Sequence, residues 1–143
     1  MEDKPSDLSD IERPVRTFVT KRVIGVKPDT TVQEAAKRMV EFNISSLTVV
    51  EDDQIIGFFT DGDIKKRVVA EGLSPDIPVE NIMTTDLITS DIDMDVKDVL
   101  ELMADKNIKH MLIEEKGEIV GILTFGDLID IQKQKLETYI SRE

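Results

Sequence analysis

The chain is built from two copies of one pattern, which are related by a constant offset of 64 residues. The clearest match pairs residues 55–64, which read IIGFFTDGDI, with residues 119–128, which read IVGILTFGDL. The register continues upstream without a gap to Pro14-Val15 and Pro78-Val79. A repeat at a fixed period predicts two similar supersecondary units that bury their hydrophobic faces against each other. It also predicts paired, roughly symmetric clefts, and these are the candidate functional sites.

Length and composition indicate a small globular protein with an aliphatic core. A chain of 143 residues, 40% of them hydrophobic, suits one compact domain or two half-size units that share a core. Only 4% of the residues are aromatic, so we expect Ile, Val, Leu and Met to fill the interior. The absence of cysteine excludes disulfides, thiolate metal sites and thiol nucleophiles, and it fits a reducing compartment.

The charge opposes two classes of partner. A formal net charge of −12 disfavours nucleic acid and anionic membranes, because both need a basic face that displaces counterions. No apolar run approaches the roughly 20 residues of a membrane span, and the acidic residues 1–7 lack the apolar core of a signal peptide. We therefore expect a cytoplasmic protein that binds neither nucleic acid nor membrane. Basic clusters at 65–67 and at Lys106 with Lys109-His110 are compatible with a small anionic ligand.

Each repeat predicts the same order of elements: a brief extended segment, an amphipathic helix, a two-stranded hairpin and a second helix. In the first repeat, the cap residues Asp29-Thr30-Thr31 start the helix, and Asn43 stands where a left-handed residue ends it. The hairpin strands are 47–50 and 54–60, and the second helix ends at Gly72. The apolar stripe of the first helix is predicted to comprise Val32, Ala35, Ala36, Met39 and Val40.

The same signals predict the domain organisation. The predicted parts are a flexible lead at 1–13, a first domain at 14–72, a linker at 73–78, a second domain at 79–130 and a C-terminal helical extension at 131–143. The extension carries an apolar stripe. Such a stripe packs on its own domain in most amphipathic helices, and a dimer contact or a partner contact is the alternative.

A Thr-x-Gly-Asp motif stands between a strand and a helix in each repeat, at Thr60–Asp63 and Thr124–Asp127. The structural interpretation is a capping box, in which the carboxylate also complements the helix dipole. The functional interpretation uses the same geometry, because a helix N-terminus offers free N–H groups to a phosphate while a carboxylate can accept both hydroxyls of a ribose. A phosphate donor about one turn from a diol acceptor indicates a nucleotide. Both interpretations stand at this point, and the recurrence in register strengthens the second.

The chain resembles a tandem pair of CBS domains, a family named after cystathionine β-synthase, in the arrangement called a Bateman module. The resemblance is carried by residues 55–64, by VENIMT at 79–84 leading into LIT at 87–89, and by the inter-domain connection at 63–83. It covers about residues 14–130. It implies an α/β (α+β) fold of two β-α-β-β-α units packed with pseudo-twofold symmetry. It also implies two clefts between the units that bind adenosine-containing ligands.

The resemblance implies site residues in both repeats, and the sequence leaves open which cleft Lys109 and His110 face. They are Ile24, Gly25, Ser45, Ser46, Thr60 and Asp63 in the first repeat, and Ile88, Thr89, Lys109, His110, Thr124 and Asp127 in the second. The Thr and Asp residues would contact phosphate and ribose, and the extended segments would pass beside the adenine. The residues just ahead of the central strand would line the cleft near the phosphates.

The two sites are not equivalent in sequence. Gly25 is matched by Thr89, Ser46 by His110 and Asp61 by Phe125. A charge-assisted contact is roughly twice as strong as a neutral one, so Lys109 and His110 would favour an anionic ligand where they reach it. Alternatively, His110 is a solvent-facing residue at a strand edge. A lone histidine among scattered carboxylates does not define a metal site, and we expect no metal ligands.

The resemblance implies a non-catalytic regulatory module that binds AMP, ADP, ATP or S-adenosylmethionine and requires no cofactor. Signalling would proceed by conformational bias of a homodimer or of an effector protein in trans. The alternative is a structural module for dimerisation or interaction whose clefts stay empty. An enzyme is disfavoured, because the chain has no cysteine, one histidine and no recognisable pairing of nucleophile and base. We therefore expect no catalytic residues.

Overall fold

The computed structural model describes residues 12–19 and 23–128. The chain divides into two compact units, one spanning Val23–Leu87 and the other combining Met1–Arg22 with Ile88–Glu143. The predicted C-terminal extension at 131–143, and the predicted lead up to residue 11, lie outside the described residues. Among the residues that are described, no helix has the length and the apolar character of a membrane span.

The unit spanning Val23–Leu87 contains a three-stranded sheet with strand order β1-β2-β3. Its β1 runs parallel to β2, and β2 runs antiparallel to β3. The elements are β1 (Gly25–Val26), α1 (Val32–Phe42), β2 (Ser46–Glu51), β3 (Gln54–Thr60), α2 (Asp61–Ile64) and a 3-10 turn (Val79–Asn81). The helix α2 continues as a π-helical turn at Lys65–Val69, in which the Ala70 N–H donates to the Lys65 carbonyl at 2.9 Å.

The second unit repeats this arrangement with strand order β4-β5-β6, again parallel and then antiparallel. Its elements are a 3-10 turn (Val15–Thr17), β4 (Thr89–Asp91), α3 (Val96–Lys106), β5 (His110–Glu115) and β6 (Glu118–Thr124). Residues 125–128 then form a helical turn. The prediction of a β-α-β-β-α order in each repeat is confirmed.

Local sequence explains where the helices and hairpins end. The Thr31 hydroxyl accepts from the Glu34 N–H at 3.1 Å and so caps α1. Both helices end at an asparagine in the left-handed region, Asn43 and Asn107, each with φ of 54°. The two-residue hairpin turns, Asp52-Asp53 and Lys116-Gly117, have positive φ at both positions, which matches the twist of the flanking strands.

Each unit buries an aliphatic core between its first helix and one face of its sheet. In the first unit the buried residues are Val26, Val32, Ala35, Met39, Leu47, Val49, Phe59, Val68, Val79 and Ile82. In the second they are Val15, Ile92, Val96, Val99, Met103, Met111, Ile113, Leu123 and Leu128. The prediction that Val40 belongs to the buried stripe is wrong, because its side chain is 82% exposed. Residues one apart on a helix differ by about 100°, so Val40 turns to solvent where Met39 faces the sheet.

The short segment that opens each repeat packs on the other repeat. The Val15 N–H donates to the Met94 carbonyl at 2.8 Å, just ahead of α3 in the second repeat. The Val79 N–H donates to the Thr30 carbonyl at 2.8 Å, just ahead of α1 in the first repeat. The compact units therefore exchange these segments, whereas the boundaries predicted at 14–72 and 79–130 follow the repeat in sequence.

Residues 82–84, which we call the crossing segment, lie against β3. The Phe58 N–H donates to the Thr84 carbonyl at 3.0 Å, and the Thr84 N–H donates to the Phe58 carbonyl at 2.8 Å. Gly57 permits this close approach, since a Cβ at that position would collide with the side chain of Met83. The crossing segment is thus fixed to the strand that leads into Thr60.

Candidate functional site

The structure brings the predicted residues of the first repeat to one edge of the β1-β2-β3 sheet. Ser46, the first residue of β2, pairs in register with Thr60, the last residue of β3. The Ser45 carbonyl accepts from the Asp61 N–H at 2.9 Å, which fixes the start of α2 beside the start of β2. Strand ends and a helix start therefore meet at this edge.

The extended segment at residues 24–25 lies at the same edge. The Ile24 carbonyl accepts from both the backbone N–H (3.0 Å) and the hydroxyl (3.2 Å) of Thr48, whose side chain is fully buried. Gly25 pairs with Thr48 in register, and a Cβ added to Gly25 would come within 2.6 Å of Val50 Cγ2. Only a residue without a side chain therefore fits beside Val50 and Thr48 at this position, and Gly25 is exposed.

Thr60 and Asp63 form a reciprocal capping box. The Thr60 hydroxyl accepts from the Asp63 N–H at 3.3 Å, and Asp63 Oδ2 accepts from the Thr60 N–H at 2.9 Å. The structural interpretation of the Thr-x-Gly-Asp motif is thus correct. It does not exclude the functional one, because a carboxylate oxygen has two lone pairs and the second oxygen, Oδ1, takes no part in the box.

Arg67 is a charged neighbour of this site that the sequence analysis noted only as part of a basic cluster. Its Nε lies 3.8 Å from Asp63 Oδ1, and its Nη1 donates to the Ile82 carbonyl at 2.7 Å. The side chain is 48% exposed and that of Asp63 is 22% exposed. The i, i+4 spacing of Asp63 and Arg67 was the available signal for the ion pair. No local pattern indicated the contact with Ile82.

The second repeat builds the same arrangement at the edge of the β4-β5-β6 sheet. His110 pairs in register with Thr124, and the Phe125 N–H donates to the Lys109 carbonyl at 2.9 Å. Thr124 and Asp127 form the two bonds of a capping box, at 3.1 Å and 3.0 Å. Thr89, the first residue of β4, pairs with Leu112 of the central strand, and Ile88 directly precedes it.

The geometry preserves the chemical asymmetry of the two sites. Ser46 is buried, whereas His110 is half-buried. His110 is the first residue of the central strand β5, at the edge where the strands end. The buried Thr48 hydroxyl has no counterpart, since Leu112 occupies the equivalent position. Within residues 12–19 and 23–128, no cluster of His, Asp and Glu could hold a metal ion.

An ion-pair network holds the 3-10 turn at Val15–Thr17 against the rest of the second unit. Arg16 Nε donates to Asp93 Oδ1 at 3.1 Å, and its Nη2 donates to Glu115 Oε2 at 2.6 Å. These hydrogen bonds, the one to Asp93 first, raise the pKa of the guanidinium. In the other repeat the three equivalent positions all carry acids, namely Glu80, Asp29 and Glu51. The two repeats therefore differ in charge at positions outside the candidate sites as well.

Comparison with known proteins gives concordant matches. The family model described as CBS domain matches residues 15–70 and 79–133. A curated relative, the CBS domain-containing protein YhcV of Bacillus subtilis, is 36% identical over 114 residues, which cover 80% of this chain and 81% of the relative.

Two solved structures extend the comparison. An uncharacterized conserved protein from Pyrococcus horikoshii is 50% identical with a TM-score of 0.83, covering 85% of this chain and 93% of that one. The CBS domain pair of protein MJ0100, solved in complex with 5′-methylthioadenosine and S-adenosyl-L-methionine, is 28% identical with a TM-score of 0.75. That match covers 85% of this chain and 97% of the other.

Proposed function

The chain belongs to the CBS domain family, and from that premise we propose that it is a non-catalytic regulatory module that binds an adenosine-containing ligand. The observation that carries the proposal is the duplicated site geometry. In each repeat a Thr-Asp capping box stands at a strand-to-helix junction, beside the start of the central strand. A capping box alone explains the pairing of Thr with Asp. It does not require the polar residues that stand where the central strands begin.

We assign the ligand groups by their chemistry. A ribose offers two hydroxyl donors, which suit the carboxylates of Asp63 and Asp127 because each carboxylate oxygen has two lone pairs and can accept more than one hydrogen bond. An anionic group of the ligand suits the threonine hydroxyls and the positive end of the helix dipole. The backbone at residues 24–25 and 88–89 would contact the adenine, and Ser45-Ser46 or Lys109-His110 would lie near the phosphate or its substitute.

The ligand class is supported by a relative that was solved with bound ligands. MJ0100 was solved with 5′-methylthioadenosine and S-adenosyl-L-methionine, both of which contain adenosine. A net charge of −12 favours a cationic ligand such as S-adenosylmethionine over AMP, ADP or ATP by long-range attraction. The local positive charge of Lys109 favours the nucleotides at the second site. We propose S-adenosylmethionine and 5′-methylthioadenosine as the first ligands to test.

Regulation would act through a homodimer or an effector protein in trans. A ligand can shift an equilibrium between two arrangements only by its difference in affinity for them. The competing hypothesis is a structural dimerisation or interaction module with empty sites. It is favoured by exposed apolar side chains on α1, where Val40 and Phe42 face solvent.

Isothermal titration calorimetry with S-adenosylmethionine, 5′-methylthioadenosine, AMP, ADP and ATP separates the two hypotheses. The regulatory module predicts saturable heat and a higher melting temperature with at least one ligand. Absence of heat for all five at concentrations up to about 1 mM would contradict it and favour the structural module. Titration of a variant that loses the charge of Arg67 needs a matched control. Lys66→Gln provides it, because Lys66 lies one residue from Arg67 and is exposed.

A further inference from the structure

We propose that Arg67 is a positioning residue that couples occupancy of the first-repeat site to the crossing segment at residues 82–84. The inference rests on the proposed function, since it needs a ligand that contacts Asp63. It goes beyond that function by naming the residue and the hydrogen bond through which the site acts on the chain that leads into β4.

The contacts form one continuous path. Asp63 Oδ1 lies 3.8 Å from Arg67 Nε, and Arg67 Nη1 donates to the Ile82 carbonyl at 2.7 Å. The crossing segment then pairs with Phe58 through two backbone hydrogen bonds of 3.0 Å and 2.8 Å. Met83 between them covers Gly57. Every step lies within the unit Val23–Leu87, and Leu87 directly precedes the second unit.

Arg67 occupies the middle of the π-helical turn. A π turn inserts a residue into a helix and occurs frequently at functional sites, because it redirects side chains that a regular helix would place elsewhere. Here the turn directs a cation toward two groups at once, a carboxylate of the candidate site and a backbone carbonyl of the crossing segment. The guanidinium has enough N–H groups to serve both, and it is always charged.

Ligand binding would change the balance between these two contacts. In the unliganded arrangement, part of the attraction of Arg67 is directed to Asp63 Oδ1. A ribose hydroxyl that donates to the same oxygen weakens that attraction, and the guanidinium is then held by the Ile82 carbonyl alone. Because coupling between two sites is reciprocal, a change in the crossing segment alters ligand affinity by the same factor.

The second repeat lacks the residue on which this coupling depends. The position equivalent to Arg67 is Ile131, which has neither charge nor a side-chain donor. The two capping boxes are alike, yet only the first has a cation spaced i, i+4 from its aspartate. The coupling would therefore be a property of the first site, and occupancy of the second site would not substitute for it.

Hydrogen–deuterium exchange of the full chain tests the proposal, with 5′-methylthioadenosine as the probe. This compound retains the ribose diol but carries no net charge, so the loss of a cation does not alter its long-range attraction. Arg67→Gln is compared with Lys66→Gln, which removes the same charge from the neighbouring position. The amides that report are those of Met83 and Thr84, which donate to the carbonyls of Val79 and Phe58.

Two results are expected. Without ligand, Arg67→Gln raises the exchange rate of the reporting amides about tenfold over wild type, as expected for loss of a charge-assisted hydrogen bond, and Lys66→Gln does not. With ligand, wild type and Lys66→Gln change their exchange at these amides equally, while Arg67→Gln shows no change although it still binds the probe. Arg67→Lys restores part of the effect, because it keeps the charge but not the fork of donors.

Three results would overturn the coupling. They are equal exchange of Arg67→Gln and Lys66→Gln without ligand, an unaltered ligand effect in Arg67→Gln, and wild-type binding of the probe that leaves the reporting amides unchanged. If calorimetry finds that wild type binds none of the adenosine ligands, the proposed function fails and the coupling fails with it. The exchange of Arg67→Gln and Lys66→Gln without ligand separates this failure from a failure of the contact itself, because it reports whether Arg67 holds the crossing segment.

Discussion

Ser90 is the residue at which a single substitution should stabilise this protein. Its side chain is 2% exposed, and its hydroxyl has no hydrogen-bond partner among the described residues. The equivalent position in the first repeat is Val26, which lies in the core. A buried hydroxyl without a partner retains its desolvation cost, which is about 1–3 kcal/mol. We therefore expect Ser90→Ala to increase the free energy of unfolding.

The magnitude follows from what the substitution removes. Alanine keeps the Cβ and deletes one buried oxygen, so it relieves the unpaired hydroxyl and leaves only a small void. The lost packing offsets part of the relief, and the expected net gain is about 1 kcal/mol. For a chain of this size that gain corresponds to a rise of about 4 °C in melting temperature. Ser90→Val restores the residue of the first repeat, but its extra volume adds a risk of overpacking that alanine avoids.

Urea denaturation followed by circular dichroism measures the change, provided that the m-value stays constant. Val26→Ser is the inverse control. It removes buried methyl groups and introduces a hydroxyl beside Val49, its partner in register, so it should lower the free energy of unfolding by about 3 kcal/mol. A Ser90→Ala variant that is less stable than wild type by about 1 kcal/mol would refute the reasoning, because it would show that the hydroxyl makes a stabilising hydrogen bond.

Four further substitutions test the packing and the charges around the sites. Asp63→Ala and Asp127→Ala should each lower the free energy of unfolding by about 1 kcal/mol without ligand, measured in urea, because each removes one bond of a capping box. Glu80→Arg should raise the melting temperature at low salt, with a gain of about 0.5 kcal/mol, because it introduces the cation that the other repeat has at this position. Gly57→Ala should cost about 2 kcal/mol or more, measured in urea, because its Cβ collides with Met83, and a second substitution Met83→Ala should recover part of the loss.

Each of these predictions has an outcome that contradicts it. Unchanged stability of the alanine variants at 63 and 127 would show that the capping boxes contribute nothing. A gain for Glu80→Arg that survives in 1 M salt would exclude an ion pair as its cause. Gly62→Ala is the control for Gly57→Ala, since the nearest atom to its Cβ would be the Thr60 hydroxyl at 3.4 Å and it lies in the first turn of α2. Equal effects at the two glycines would refute the collision.

The elements could be predicted from the sequence because their causes lie within a few residues. The cap at Thr31 and the left-handed residue Asn43 act locally, and the structure has both as predicted. The pairing of Thr with Asp in the capping boxes is local as well. The gathering of the predicted site residues at sheet edges follows from the element order, since residues at the start of β2 and the end of β3 meet in any hairpin.

Tertiary structure alone decided the contacts between residues that are distant in the chain. Periodicity places Val40 on the border of the buried stripe, and only the packed sheet shows that it faces solvent. No pattern within either repeat indicates that its opening segment packs on the other one, that Arg67 reaches the Ile82 carbonyl, or that Met83 excludes a side chain at position 57. A sequence repeat encodes which unit forms twice, because hydrogen bonding and turn geometry are local. Which unit a connecting segment joins depends on the free energy of burying its apolar residues. This free energy depends on the packed cores of both units, which exist only in the tertiary structure.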